Sequence, residues 1–208
     1  MKIGNDKHII STCIISKNIV VKNKEAIFST HADNTQSFLL SVYQYLQTDY
    51  PKFYKMDKLS KLGWLASEVL LKDELIVKET ESNKIGIVLT NANSSLDTDE
   101  KYFLSTKEIA SPALFVYTLP NIVIGEICIR NKFKGENSFF VFDQFNAKFL
   151  KQYVEELFRN NIVQLCICGW VDMLNEDYKA VLFLIGTNPK QELLFTEENM
   201  DSIFKSIA

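Results

Sequence analysis

The chain has 208 residues, of which 47% are hydrophobic and 24% charged, a composition typical of a soluble globular domain. Its formal net charge of -3 and its pI near 5.5 argue against a nucleic-acid-binding protein, which usually carries a basic field. No run approaches the roughly 18 apolar residues of a membrane helix, and no cleavage site follows the partly apolar stretch Ile9–Val21. We therefore expect a cytoplasmic protein without a membrane segment.

The N-terminal segment predicts a β-hairpin followed by a helix. Ile9–Ser16 and Ile19–Lys22 have the composition of strands, and Lys17-Asn18 between them is a predicted turn. Asp33–Leu46 then predicts a helix that begins at a capping residue.

The clearest helical pattern lies between Met56 and Leu70, where apolar and small residues recur at steps of three and four. Gly63 and Ala66 on this stripe would let another backbone approach closely. The neighbouring basic residues also have helical spacing, which predicts a solvated face. These residues are Lys52, Lys55, Lys58 and Lys61.

The middle of the chain predicts a strand, a polar loop and a buried helix. Lys84–Thr90 is a short apolar run of the kind found in buried strands. Asn91–Asp99 is polar and rich in turn-forming residues, and Thr118–Asn121 suits a helix start. Ile122–Ile129 is apolar nearly all round apart from Glu126, so we expect a buried helix.

The last third continues the alternation of short strands and longer helices. We predict strands at Ser138–Phe142, Ile162–Val171 and Val181–Ile185, and helices at Phe145–Leu157 and Glu197–Ile207. This alternation predicts an α/β fold with a mixed, mostly parallel sheet and helices on its faces.

The cysteines lie in apolar runs, which is typical of buried free thiols. Cys166 and Cys168 would share one face of a strand, which leaves a metal site conceivable. His8 and His31 are distant in sequence and no second cysteine pair exists, so we expect no metal and no cofactor. The four cysteines are Cys13, Cys128, Cys166 and Cys168.

Several segments, taken in order, resemble the N-terminal half of a β-ketoacyl-acyl-carrier-protein synthase. The segments at Lys55–Leu71 and Lys84–Phe103 resemble an early helix and a strand with its loop. Ser111–Asn137 (SPALFVYTLPNIVIGEICIRNKFKGEN) resembles the family's TLPN and GPN motifs, and Leu165–Met173 resembles its AGG segment. The similarity covers roughly residues 50 to 187. The TLPN and GPN matches are Thr118, Leu119, Pro120, Asn121, Gly125, Gly135 and Asn137.

This resemblance implies a thiolase-like half-fold over residues 1–208, a single β-ketoacyl synthase N-terminal-like domain. In the family the nucleophilic cysteine stands nine residues after the glycine of the GPN motif, and the same count from Gly135 reaches Gln144. A shift by one residue would place Asp143 or Phe145 there, and neither is a thiol.

The resemblance also implies that the chemistry fails. Condensation in this family needs a cysteine thiolate and two histidines, and no histidine follows His31 before the sequence ends at Ala208. A carboxamide such as that of Gln144 is neither a nucleophile nor a base at neutral pH. Deleting one member of such a unit costs several orders of magnitude in rate, so we expect no catalytic residue.

Glutamine at this position resembles the chain-length factors of polyketide synthases, which pair with an active ketosynthase and help to shape its acyl tunnel. Similar partners accompany synthases of aryl-polyene and flexirubin-type pigments. The resemblance therefore implies a non-catalytic subunit with a full-length β-ketoacyl-ACP synthase as partner, and with an acyl carrier protein as a further candidate. Alternatively, Gln144 is an unselected polar residue in a decayed site.

Two other functions stay open. The chain could be a homodimeric module that binds a carrier protein or an acyl chain without a ketosynthase. It could also be an autonomous enzyme that uses the loop Asn91–Ser95, or Asp97 with Asp99, although polar loops of this kind are usually turns and no histidine lies nearby in sequence.

In the family, the strand that matches Ser138–Phe142 pairs with its copy across the dimer axis. Alternation would send Phe140 and Phe142 to one face of this strand, and Phe139 and Val141 to the other. The resemblance thus implies a tunnel or dimer-interface role for an aromatic set, of which each member is equally compatible with a core position. The set is Phe139, Phe140, Phe142 and Phe145.

A lone half-fold would also expose apolar surface. We expect the helix Ile122–Ile129 to be covered by the C-terminal helix and the N-terminal segment, or by another chain.

Overall fold

A computed structural model of the chain describes residues 6–187 and 193–207. Within these residues, seven strands form one sheet in the order β3-β2-β1-β7-β6-β4-β5. The strands are β1 (His8–Ser16), β2 (Ile19–Lys22), β3 (Glu25–Ser29), β4 (Ile85–Asn91), β5 (Asn137–Val141), β6 (Leu165–Leu174) and β7 (Asp177–Gly186).

Helices cover both faces of this sheet. They are α1 (Thr35–Tyr45), α2 (Lys58–Leu71), α3 (Leu75–Glu79), α4 (Leu96–Ser105), α5 (Pro112–Phe115), α6 (Ile122–Asn131), α7 (Ala147–Arg159) and α8 (Glu197–Lys205). Short 3₁₀ turns occupy Pro51–Lys55, Ser82–Lys84 and Val116–Thr118.

The sheet is mixed, as predicted, but the expectation of mostly parallel pairing is wrong. Within the described residues, only β4 takes part in parallel pairing, with β5 on one side and β6 on the other. The pairs β1–β2, β2–β3, β1–β7 and β6–β7 are antiparallel. The reason is connection length: parallel strands need a long crossover, whereas short turns join β1 to β2 and β6 to β7.

The first hairpin is confirmed at the predicted turn. Lys17 and Asn18 have positive φ angles of 49° and 60°, as a two-residue hairpin turn requires. The sequence patterns missed β3 and the three helices α3 to α5. All four are short or lack a continuous apolar stripe, so the periodicity of hydrophobic residues alone does not reveal them.

Two hydrophobic clusters lie on opposite faces of the sheet. The first joins the sheet to α1, α2 and α6, and includes Phe38, Leu62 and Ile124. The second joins it to α7 and α8, and includes Leu150 and Met200.

Helix α6 packs against α2, so the expectation that the C-terminal helix would cover it is wrong. Gly63 of α2 makes this contact possible, as its small size predicted, because a Cβ there would lie 2.3 Å from Cγ2 of Val123. Helix α8 packs with α7 on the opposite face.

The burial of α6 also differs from the prediction. Ile129 is 60% exposed, whereas the carboxylate of Glu126 is buried. Glu126 Oε2 lies 2.8 Å from Nζ of Lys52, and Glu126 Oε1 accepts a hydrogen bond from the hydroxyl of Tyr117 at 3.1 Å. Burial of the hydroxyl and the neighbouring carboxylate together raise the pKa of Tyr117. These partners keep the charge of Glu126 inside, because a buried carboxylate is tolerated only when it is paired.

Among the described residues, no single helix has both the length and the apolar composition to cross a membrane. The bent pair Pro112–Thr118 and Ile122–Asn131 meets both criteria only when its two parts are taken together.

The prediction that Lys52, Lys55, Lys58 and Lys61 form one solvated helix face is wrong. Lys52 and Lys55 lie in a 3₁₀ turn before α2, so the helical spacing does not continue through them. Lys58 pairs with Glu176 at 3.0 Å. Lys61 is buried, and its ammonium lies 5.6 Å from the ring centre of Phe53.

Candidate interaction site at the edge of the sheet

Strand β5, which carries Phe139 and Phe140 of the predicted interface set, forms one edge of the sheet. It pairs in parallel with β4, so that Phe139 lies beside Leu89 and Phe140 beside Thr90. Within residues 6–187 and 193–207, no strand pairs with its outer side. An edge of this kind presents unpaired N–H and C=O groups that can receive a further strand.

The side chains of β5 alternate between the two faces as predicted. Phe139 packs against the cluster that contains α6, and Phe140 packs against α7. The ring centre of Phe140 lies 4.8 Å from that of Phe149 and 5.1 Å from that of Tyr153, and Phe142 lies 4.8 Å from Phe149. Phe140 and Phe142 therefore belong to one aromatic group at the margin of the sheet.

Gln144 lies in the bend between β5 and α7, and it is exposed. It borders an open cleft of about 260 Å³ that is also lined by Lys148, Glu197 and Asp201. A charged, open cleft is unlike the apolar sites that hold acyl chains. Among the residues that the structure describes, Gln144 therefore has no acyl-binding surroundings.

Phe145 points away from the edge and into the sheet–helix layer. Its ring stacks on Phe204 of α8, with centres 4.2 Å apart and planes 4° from parallel. The rings of Trp170 and Phe183 lie 6.3 and 6.4 Å away. Helix α8 thus anchors the residue that follows Gln144.

The layer formed by α7 and α8 presents a polar outer face. Leu150, Val154 and Leu157 of α7 are buried toward the sheet. Its opposite side exposes Lys148, Gln152, Glu156 and Arg159. An amphipathic helix of this type faces water on its polar side.

The loop Asn91–Ser95 is held by its own hydrogen bonds. Oδ1 of Asp172 accepts from the backbone N–H groups of Ala92 and Asn93, at 3.2 and 3.0 Å. The side chain of Asn91 bonds to the backbone of Ser94 in both directions. Asp172 and Asn91 thus fix the loop as a turn after β4.

The side chains considered for autonomous catalysis in this region already form hydrogen bonds and an ion pair within the fold. The hydroxyl of Ser95 lies 2.7 Å from the carbonyl oxygen of Thr118 and 3.2 Å from both carboxylate oxygens of Asp99. Asp97 pairs with Lys101 and accepts a hydrogen bond from the backbone N–H of Asn175. No imidazole is among the partners of these groups in the described residues, so Ser95 has no histidine base.

The buried thiols are poorly suited to ionic chemistry. Burial raises the pKa of Cys13, Cys166 and Cys168. All three lie in hydrophobic clusters, where the thiolate would be desolvated. Within the described ranges, no group of three or more histidine, cysteine or acidic side chains is placed to hold a metal ion.

The sequence patterns missed one exposed apolar surface, which lies in the segment that follows β4. Within residues 96–119, seven large apolar side chains are between 41% and 85% exposed, and we call them the apolar band. Helices α4 and α5 and the turn Val116–Thr118, which carry most of the band, contact one another. The band comprises Leu96, Phe103, Leu104, Ile109, Phe115, Val116 and Leu119.

The band begins at Leu96, five residues after the end of β4, and helix α4 contacts β6. Asn91, the last residue of β4, pairs with Val141 of β5, and Val141 is itself 51% exposed. The sequence contained a signal for this surface, because the apolar residues of the band do not fall on an amphipathic stripe that would bury them. Only the structure shows that no other part of the described chain covers them.

No family model and no curated protein matches the chain. Solved structures do match its fold. The ishigamide ketosynthase/chain length factor superposes with a TM-score of 0.63 at 15% identity, covering 90% of this chain and 64% of that one. A type II polyketide synthase acyl-carrier protein in complex with its ketosynthase gives a TM-score of 0.59 at 14% identity, covering 88% and 62%.

A ketosynthase in complex with its chain length factor, from Xenorhabdus doucetiae, gives a TM-score of 0.56 at 12% identity, covering 89% of this chain and 80% of that one. The chain thus spans 64% and 62% of the lengths of the first two matched structures. The similarity confirms the predicted thiolase-like α/β fold.

Proposed function

We propose that this chain is a non-catalytic, chain-length-factor-like subunit that pairs with an active β-ketoacyl-ACP synthase in polyketide or related acyl-chain biosynthesis. Its fold is that of proteins solved as ketosynthase and chain length factor assemblies. The resemblance of Gln144 to the glutamine of chain-length factors supports the same assignment.

The observation that carries the proposal is the apolar band, together with the open edge of β5. A fully exposed aromatic side chain offers about 150–250 Å², so seven large side chains at these exposures present on the order of 700 Å² of apolar surface. A standard interface takes about 800 Å² from each partner. Exposed apolar surface of this extent usually marks a protein interface, and a thiolase-like partner would present an edge strand to β5.

The surroundings of Gln144 support the absence of catalysis. Its cleft neighbours include Lys148, Glu197 and Asp201, and none of these can replace a thiolate as acyl carrier. His8 is the first residue of β1, on the other side of β7 and β6 from β4 and β5. We infer that the partner supplies every reacting group.

Co-expression with a ketosynthase from the same gene neighbourhood tests the proposal. We expect a stable heterodimer in size-exclusion chromatography and light scattering. Phe103→Asp combined with Ile109→Asp should abolish it, because charges would be buried without partners. Leu75→Asp is the matched control, since Leu75 and Phe103 are both 67% exposed and Leu75 lies outside the band.

Separate elution of the two proteins at micromolar concentration would contradict the proposal. If the chain instead forms a homodimer, and Phe103→Asp with Ile109→Asp dissociates it, the result would favour the homodimeric module. Binding of a phosphopantetheinyl carrier protein to the isolated chain, without any ketosynthase, would favour the carrier-binding alternative.

A further inference from the structure

A second surface lies at the other end of β4. Two cavities of about 550 and 700 Å³ meet between the C-terminal ends of α2 and α6 and the short helix α3. Both are lined by Leu71, Asn131 and Lys132, so they form one continuous surface, which we call the basic groove.

The wider part of the basic groove has an apolar floor. Leu71 and Val77 are half-buried there, and Ile85 and Phe133 are 2% and 8% exposed. These side chains come from α2, α3, the start of β4 and the segment after α6. The floor therefore offers apolar contact to an occupant that also meets the rim.

Among the residues that line the basic groove, cations outnumber carboxylates. Its two acidic residues are paired: Glu68 with Arg130, also in the groove, at 3.1 and 3.3 Å, and Glu74 with Lys22 at 3.6 Å. The remaining cations have no ion pair within 4 Å among the described residues. They are Lys72, Lys78, Lys132 and Lys134, all exposed.

We propose that the basic groove binds an acidic amphipathic helix of a protein partner. Four unpaired ammonium groups around an apolar floor complement a helix that carries an apolar ridge flanked by carboxylates. Ile85 of β4 lines the groove, and β4 is paired on both sides, so the groove offers no open strand edge for an extended peptide. A free inorganic anion would leave the apolar floor unused.

This site is distinct from the surface proposed for the ketosynthase. Ile85 at the groove is the first residue of β4, whereas the apolar band and Gln144 follow the opposite ends of β4 and β5. The groove and the apolar band therefore lie toward opposite ends of β4, and the groove does not depend on the pairing function. The net charge of -3 argues against nucleic acid as the occupant.

Fluorescence anisotropy with designed helical peptides tests the proposal on the full chain. The probe carries a leucine ridge flanked by glutamates, and a second peptide has lysine in place of each glutamate. We expect only the acidic peptide to bind, with weaker binding at higher salt. Lys78→Glu with Lys134→Glu should reduce the affinity by about tenfold or more.

Lys24→Glu with Lys205→Glu is the matched control, because both lysines are exposed and lie outside the groove. Its affinity should stay within about twofold of the unchanged chain. Lys78→Gln with Lys134→Gln, which adds no negative charge, should give an intermediate loss. No binding of the acidic peptide, equal binding of both peptides, or equal loss in the control would overturn the proposal.

Discussion

Oε2 of Glu176 accepts a hydrogen bond from the backbone N–H of Thr35 at 2.6 Å, across 141 residues of sequence. The same carboxylate pairs with Lys58 through Oε1 at 3.0 Å. Glu176 stands in the turn between β6 and β7, whereas Thr35 and Lys58 begin α1 and α2. One exposed turn residue thus connects the starts of two helices to the central hairpin.

Glu176→Gln should lower the free energy of unfolding at neutral pH, by a modest amount because the side chain is 60% exposed. The hydrogen bonds from Thr35 and the contact with Lys58 lower the carboxyl pKa from 4.5 to about 2. A depressed pKa stabilises the fold above pH 4.5, and this stabilisation is lost as the pH falls from 4.5 toward about 2. In urea denaturation across this pH range, the free energies of unfolding of the variant and the unchanged chain should converge as the pH falls. Glu79→Gln, at an exposed position, is the control and should change the free energy of unfolding by less than about 0.5 kcal/mol at neutral pH.

Asp57 should respond to pH in the opposite sense. Its side chain caps α2 by accepting from the backbone N–H of Ser60 at 2.9 Å, and it also accepts from the hydroxyl of Thr98. Burial raises its carboxyl pKa, so its ionised form opposes folding once the pH exceeds that value.

Asp57→Asn should therefore be more stable than the unchanged chain at neutral pH, since asparagine keeps the cap without the buried charge. The advantage should disappear as the pH falls through the raised pKa. Asp57→Ala should cost about 1 kcal/mol through loss of the cap. An Asn variant as unstable as the Ala variant in chemical denaturation would show that the charge itself is favourable.

Gly169→Ala should prevent stable folding. Gly169 has a φ of +150°, and a Cβ there would lie 2.0 Å from the carbonyl oxygen of Val181 in the neighbouring strand. Backbone atoms of a central strand pair yield little, so the loss should exceed about 4 kcal/mol. Circular dichroism melting would measure it.

The matched control is Gly125→Ala in α6, where an added Cβ meets nothing within 4 Å. This variant should gain about 0.5–1 kcal/mol from helix propensity. Equal melting temperatures for the two alanine variants would contradict the packing around Gly169.

Gln144→Cys should not create a condensing enzyme. The new thiol would lie among Lys148, Glu197 and Asp201, without the histidines that the resemblance requires. Incubation of the purified variant with malonyl- and acyl-carrier proteins should yield no condensation product above the Gln144→Ala level. Turnover by the Cys variant would show that the chain retains catalytic machinery of its own.

The sequence by itself determined the features that depend on local periodicity and turn chemistry. The Lys17-Asn18 hairpin, the stripe of α2 and the alternation of Phe139 and Phe140 in β5 all follow from residues near one another in the chain. Gly63 predicted a close helix contact, because a missing Cβ is visible in the sequence even when its neighbour is not. The motifs resembling a β-ketoacyl synthase likewise predicted the thiolase-like fold.

Only the tertiary structure decided which partner each element meets. Glu126 is buried because Lys52 and Tyr117 converge on it, and Phe145 faces inward because Phe204 stacks on its ring. The antiparallel majority of the sheet, the exposure of Gln144 and the uncovered apolar band arise from contacts between residues that are distant in sequence. Periodicity assigns a residue to a face of its element, but burial depends on what packs against that face, and this is a property of the whole fold.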